Sequence, residues 1–291
     1  MKIIASVILN LILFSFILIN SASSQEPDKP VISVQKENER VFILSVGEEN
    51  SILFSADDGN ILLISGHTLF SDDLVTTIKK ISNKPLKFII YSHIHNKEFI
   101  DIKLFEELNT TVIVQENSLN RLPKIDENAF LLITFGNSFS IFTDNEEIYL
   151  QHYPSAHTDG DIVVYFKNSN LLYTGNIFYP KSFPFIDIGS GGTVKGYLDA
   201  LNEITKITDK KTVILPGSGA VSNQKTLEEF QKMFKNSKNR IELLISANKP
   251  LREILNEKPL DDFNKKWENG AIRSQDFIIN LYEGLSNQKI N

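Results

Sequence analysis

Cysteine is absent from the 291 residues. Disulfides, thiolate zinc sites, iron–sulfur clusters and a cysteine nucleophile are therefore excluded together. An excess of positive charge is also missing: 30 Lys and Arg face 36 Asp and Glu, a formal net of −6. No basic field exists to hold nucleic-acid phosphates, and aromatic and basic residues are not interleaved as in nucleic-acid platforms. Gly-x-Ser-x-Gly elbows, P-loops and dinucleotide fingerprints do not occur. What remains is an ordinary globular composition, 42% apolar and 23% charged, which argues against disorder, collagen and coiled coil.

One long apolar run stands at the N-terminus. Lys2 supplies a positive charge, residues 3–19 are nearly all apolar, and Ser21-Ala22-Ser23-Ser24 follows. This order predicts a secretory signal peptide over 1–24 and an exported, periplasmic or secreted protein. The run is at the short edge for a spanning helix, about 17–25 residues, so a retained anchor is the alternative. Without Lys2 the balance becomes 29 basic against 36 acidic residues, a net of −7. No other segment is apolar enough to cross a membrane, so no membrane partner is expected once the signal is removed. Residues 25–37 read as a polar, Pro-containing flexible leader, 38–285 as one α/β domain, and 286–291 as a tail.

Within the domain, short strands are predicted at 41–46, 51–56 and 60–65, with Asp58-Gly59 as a hairpin signal. A helix follows over 71–81, with Asp72 and Asp73 at its start and Lys79 and Lys80 at its end, the order that suits the helix dipole. Strands at 86–91 and 111–115 flank a helix at 97–108. A second meander occupies 130–134, 138–142 and 148–152, continuing at 161–166 and 171–174. A helix at 193–204, a strand at 211–215 and a long helix opened by the capping box Thr226-Leu227-Glu228-Glu229 complete it. Two such halves suggest two sheets face to face with helices outside.

Five histidines are present, and three suggest chemistry. His93-Ile94-His95 sits just past a predicted buried strand, where i, i+2 spacing aims both rings the same way. His157 lies in the polar loop Ala156-His157-Thr158-Asp159-Gly160-Asp161 between two strands. Three imidazoles with an open fourth position describe a catalytic zinc site. The spacing alone fits an incidental pair on a polar loop as well. His67 and His152 have no partner motif.

In order along the chain stand Ser92-His93-Ile94-His95-Asn96-Lys97-Glu98, the Ala156–Asp161 loop, Thr174-Gly175-Asn176 and Pro216-Gly217-Ser218-Gly219. With Ser190-Gly191-Gly192-Thr193 and the tail around Trp267, Gly270, Phe277 and Tyr282, the chain resembles the metallo-β-lactamase superfamily over roughly residues 38–285. The resemblance implies a four-layer αββα sandwich of two mixed sheets with outer helices. It implies His93, His95 and His157 as ligands of one zinc ion. It also implies loss of a second ion: Lys97 stands for an Asp ligand, Glu98 and Ser218 for His ligands, and Asn176 for the Asp between the metals. Ser65 replaces the Asp usual in its turn.

A protonated lysine offers three donors and no acceptor, so Lys97 cannot ligate a cation while charged. It can instead supply the missing positive charge and steady a substrate oxyanion, or stand as an exposed pair with Glu98. Glu98 is the better candidate base, and Asn176 keeps a ligating oxygen without the charge. The function expected is an exported zinc hydrolase of amide or ester bonds acting on a small molecule. The rival is a catalytically inactive binding protein that retains the cleft. Gly189-Ser190-Gly191-Gly192 reads either as an anion cradle at a helix start or as a plain glycine turn. Phe178-Tyr179-Pro180 and Phe183-Pro184-Phe185 read as core packing or cleft wall.

Overall fold

The computed structural model describes residues 31–65, 72–95, 108–122 and 130–287. The expected signal segment, His67, Lys97, Glu98 and all but the last residue of the helix expected at 97–108 lie outside them. The first sheet begins with β1 (Ile32–Lys36), followed by the meander β2 (Val41–Val46), β3 (Glu49–Ala56) and β4 (Gly59–Ile64). Helix α1 (Asp72–Ile81) leads to β5 (Leu86–Tyr91), β6 (Thr111–Gln115) and β7 (Leu132–Phe135). The seven strands lie in sequence order, antiparallel from β1 to β4 and parallel from β4 to β7. Part of the expected leader is thus a strand. Ile32 faces Val46 and Val34 faces Leu44, which gives the otherwise bare edge of β2 a partner.

The second sheet contains β8 (Ser138–Thr143), β9 (Glu146–Tyr153), β10 (Asp161–Phe166), β11 (Leu171–Tyr173) and β12 (Val213–Leu215). Its order is β12-β11-β10-β9-β8, with only β11 and β12 parallel. Helices α2 (Val194–Ile207), α3 (Gln224–Ser246), α4 (Leu251–Glu257), α5 (Asp261–Trp267) and α6 (Ser274–Asn287) belong to this half. Thr193 caps α2 by accepting from Gly196 N. Helix α3 opens earlier than expected: Asn223, a stronger cap than Thr, accepts from Thr226 N, so Thr226 is already inside the first turn.

Three apolar layers hold these parts in four tiers. Ile61 and Leu63 of β4 point between the sheets with Phe54, Ile90, Leu150, Val164 and Phe166. Leu62 and Ile64, one residue out of phase, pack on Leu74 and Ile78 of α1. On the far side, Val163, Leu172 and Ile214 of the second sheet meet Tyr197, Phe230, Phe234 and Phe277 of the helices. Both faces of the central strands are covered, and the architecture is the αββα sandwich. No helix among the described residues is long and apolar enough to cross a membrane.

Candidate metal centre

His93 and His95 leave the end of β5, where Ser92 N still donates to Ile64 O at 2.9 Å and Ser92 O accepts from Ile162 N of the other sheet at 2.7 Å. Ile94, between them, is fully buried in the outer core of the first sheet. Its anchoring turns both imidazoles the other way, as i, i+2 spacing at a strand end requires. His157 comes from the loop between β9 and β10. The three rings are buried, their centroids lie 4.9 Å apart in every pairing, and each ring stands nearly perpendicular to the other two. Their ligand nitrogens all fall within 4.8 Å of one another.

The outer nitrogens fix how the inner ones point. His95 Nδ1 donates to Asp187 Oδ2 at 2.7 Å, and His157 Nδ1 donates to Phe185 O at 2.7 Å. His93 Nδ1 lies 3.0 Å from Ser92 Oγ. With Nδ1 protonated in His95 and His157, their Nε2 atoms carry lone pairs. Those two atoms are 3.3 Å apart. Two lone pairs at that distance repel unless a cation or a shared proton lies between them. Tetrahedral zinc at about 2.0–2.1 Å from each nitrogen sets a nitrogen–nitrogen separation of about 3.3–3.4 Å. The donor set therefore fits the ion that the sequence implied.

Burial opposes the charge on Asp187, but bonds from His95 and Ser190 outweigh it and hold the carboxyl well below the usual range. Next to His157, Thr158 N and Oγ1 both donate to Asp161, at 2.9 and 2.6 Å. Burial nonetheless pushes the Asp161 carboxyl up to about 7. The glycines at 191 and 192 serve close packing of this loop rather than an anion cradle. A Cβ on Gly192 would stand 2.2 Å from His157 O, and Gly191, at φ +83°, lies under Asp159.

Asn176 is buried in the turn after β11, with its backbone oxygen accepting from Tyr197 OH at 3.1 Å. Its Oδ1 has no hydrogen-bond partner among the described residues. Neighbouring Gly175 packs against Ser92 and His93, which brings Asn176 to the border of the triad. Ser65 and Ser218 converge on a residue that sequence reasoning missed: Ser65 Oγ donates to Glu49 Oε2 at 3.3 Å, and Ser218 bonds the same carboxyl. A cavity of about 270 Å³ adjoins Ser218, lined also by Tyr179, Lys181 and Ile272.

Asp187 and Asn280 were missed as well. Asn280, on α6, brackets Ile186: its Oδ1 accepts from Ile186 N and its Nδ2 donates to Ile186 O, both at 2.8 Å. Ile186 separates Phe185 from Asp187, the partners of His157 and His95. The only sequence signal was the Phe-Pro-Phe stretch just before them. Of its rings, Phe183 is core, stacked on Phe277, while Phe185 is 41% exposed with its ring 6.3 Å from that of His157. Phe178 packs edge-on to Phe230 and is core too.

No family model and no curated protein matches the sequence. Solved structures do match. A metallo-β-lactamase from Pontibacter korlensis is 18% identical, with a TM-score of 0.59, over 71% of this chain and 100% of that one. The metallo-β-lactamase IND-7 is 18% identical, also at 0.59, over 72% and 100%. A double mutant of the sec-alkyl sulfatase PisA1 is 15% identical, at 0.64, over 87% of this chain and 50% of that one. The chain has the metallo-β-lactamase fold, with a three-histidine cluster compatible with a metal ion.

Proposed function

We propose that this chain is an exported metal-dependent hydrolase that holds one zinc ion on His93, His95 and His157 and cleaves an amide or ester bond of a small molecule. The observation that carries the reading is the pair of Nε2 lone pairs 3.3 Å apart, each fixed from behind by a bonded Nδ1. When bound, zinc supplies Lewis-acid polarisation of the scissile carbonyl and activates water at neutral pH. The chain's own residues do the rest. Asp187 and the Phe185 carbonyl hold two imidazoles in the tautomer that presents Nε2. Asn176 Oδ1, buried and without a hydrogen-bond partner among the described residues, is an acceptor available to a water proton or a substrate N–H.

A single ion is favoured by Glu49, whose carboxyl is taken up by Ser65 and Ser218, the residues standing where the resemblance puts an Asp and a His. Lys97 and Glu98, two and three residues past His95, are assigned as oxyanion support and general base. The neighbours of this fold carry the names of β-lactamases and of a sulfatase, so the fold does not choose the bond. The test is turnover of β-lactam and ester panels by mature protein that is zinc-loaded, chelated, or His157→Ala. Zinc-dependent turnover lost in the variant is expected. Binding of intact substrate with no turnover above the variant's would instead make the chain a binding protein.

A further inference from the structure

Arg121 ends the short 3-10 turn Glu116–Arg121 that follows β6. Its charge is remote in sequence from every histidine, yet its side chain is only 8% exposed. One guanidinium nitrogen, Nη1, donates to Ile94 O at 3.2 Å, the carbonyl between His93 and His95. The other, Nη2, donates to Ser190 O at 2.9 Å and pairs with the carboxylate of Asp159, two residues past His157. Ser190 in turn donates its N–H to Asp187 Oδ1 at 3.0 Å, and Asp187 orients His95. The three acceptors of this planar fork among the described residues therefore belong to segments that carry a histidine or its orienting carboxylate.

Asp159 is held on its other sides too. Its N–H donates to Ser190 O at 3.0 Å, and its carbonyl accepts from Asn117 Nδ2 at 2.9 Å and from His152 Nε2 at 2.7 Å. The Arg121 charge is thus neutralised by Asp159 instead of facing the histidines, and the distances between the three loops are set by a rigid donor array. A lysine cannot reproduce this, since an ammonium is a point donor on a flexible stem.

We propose that Arg121 is a positioning residue for metal binding, a clamp that fixes the His93–His95 segment, the His157 loop and the Asp187–Ser190 turn at ligating separation. The proposal rests on the zinc reading of the triad. Outer partners of ligating groups typically contribute about 10–100-fold in metal affinity. The test is competition titration of zinc against a chromophoric chelator, with thermal midpoints of the chelated proteins measured alongside. It compares mature wild type, Arg121→Gln and Arg121→Lys. Arg121→Lys keeps the charge and covers the case in which Arg121→Gln does not fold. The expected result is zinc affinity at least tenfold weaker in both variants, with Arg121→Lys giving no rescue and keeping a metal-free midpoint near that of wild type. Wild-type zinc affinity in the variants, with only the metal-free midpoint lowered, would overturn the clamp and leave Arg121 a structural residue. Absence of zinc binding by wild type would overturn the triad reading and the clamp with it.

Discussion

His95 and Asp187, 92 positions apart in sequence, meet through Nδ1 and Oδ2 at 2.7 Å. The carboxylate can only accept, so His95 must donate from Nδ1 and offer Nε2 to the site. Asp187→Asn removes the charge that stabilises this tautomer. Zinc affinity, measured by competition titration, is expected to fall about 10–100-fold with the fold retained. Unchanged affinity would show that the Asp187 carboxylate does not orient the ring.

Asn280 reaches from the last helix to both backbone groups of Ile186. Asn280→Ala leaves the buried Ile186 N–H unpaired, at about 1–3 kcal/mol, while the Ile186 C=O keeps the Ile188 N–H at 3.0 Å. Chemical denaturation is expected to show that loss, and zinc affinity is expected to weaken with it, because Phe185 and Asp187 flank Ile186. A cost below about 1 kcal/mol would mean that the loop is held by its other contacts.

Two glycines separate a steric requirement from a conformational one. A Cβ on Gly192 meets His157 O at 2.2 Å and Ala156 O at 3.0 Å, backbone atoms that cannot swing aside. Gly192→Ala is expected to cost about 1–3 kcal/mol and to weaken zinc binding by moving His157. Gly47 sits at φ +61° with nothing within 4 Å of its Cβ direction. Gly47→Ala is expected to cost about 1–2 kcal/mol and to leave zinc affinity unchanged. Equal effects of the two on zinc binding would contradict this assignment.

Burial raises the Glu49 carboxyl above its usual range, against opposing bonds from Ser218 and Ser65, while the charge of Glu48 reinforces the rise. A folded value above the unfolded one means the native state keeps its proton where the unfolded chain has lost it. Stability from this group is therefore greatest at low pH and falls as pH climbs from the ordinary carboxylate range through the raised value. Glu49→Gln cannot titrate, so the change in stability from about pH 4 to about pH 8 should be more favourable in the variant than in wild type. A less favourable change in the variant would reverse the sign and refute the burial argument.

The layers of this fold were legible because local patterns carry them. The apolar run of β5 ends at Ser92-His93, and the Asp72–Lys80 charge order marks α1. The central strands gave no alternation to read, since β4 is buried at every position. Two of the three histidines announced themselves by spacing, and His157 by its loop motif. The residues that aim them did not. Asp187, Arg121, Asn280 and Glu49 act across long sequence separations, and each looks alone like an ordinary surface charge or amide. The cap of α3 was misplaced for a local reason: Asn223 and Thr226 are both good caps, and only their mutual hydrogen bond shows which one leads.

The central claim is one zinc ion on three histidines, and metal stoichiometry tests it most directly. Elemental mass spectrometry of the mature protein, beside a His93→Ala, His157→Ala double variant, gives the count. The account predicts about one zinc per chain in the native protein and none in the variant. No zinc in the native protein after zinc is supplied, or two ions per chain, would contradict it.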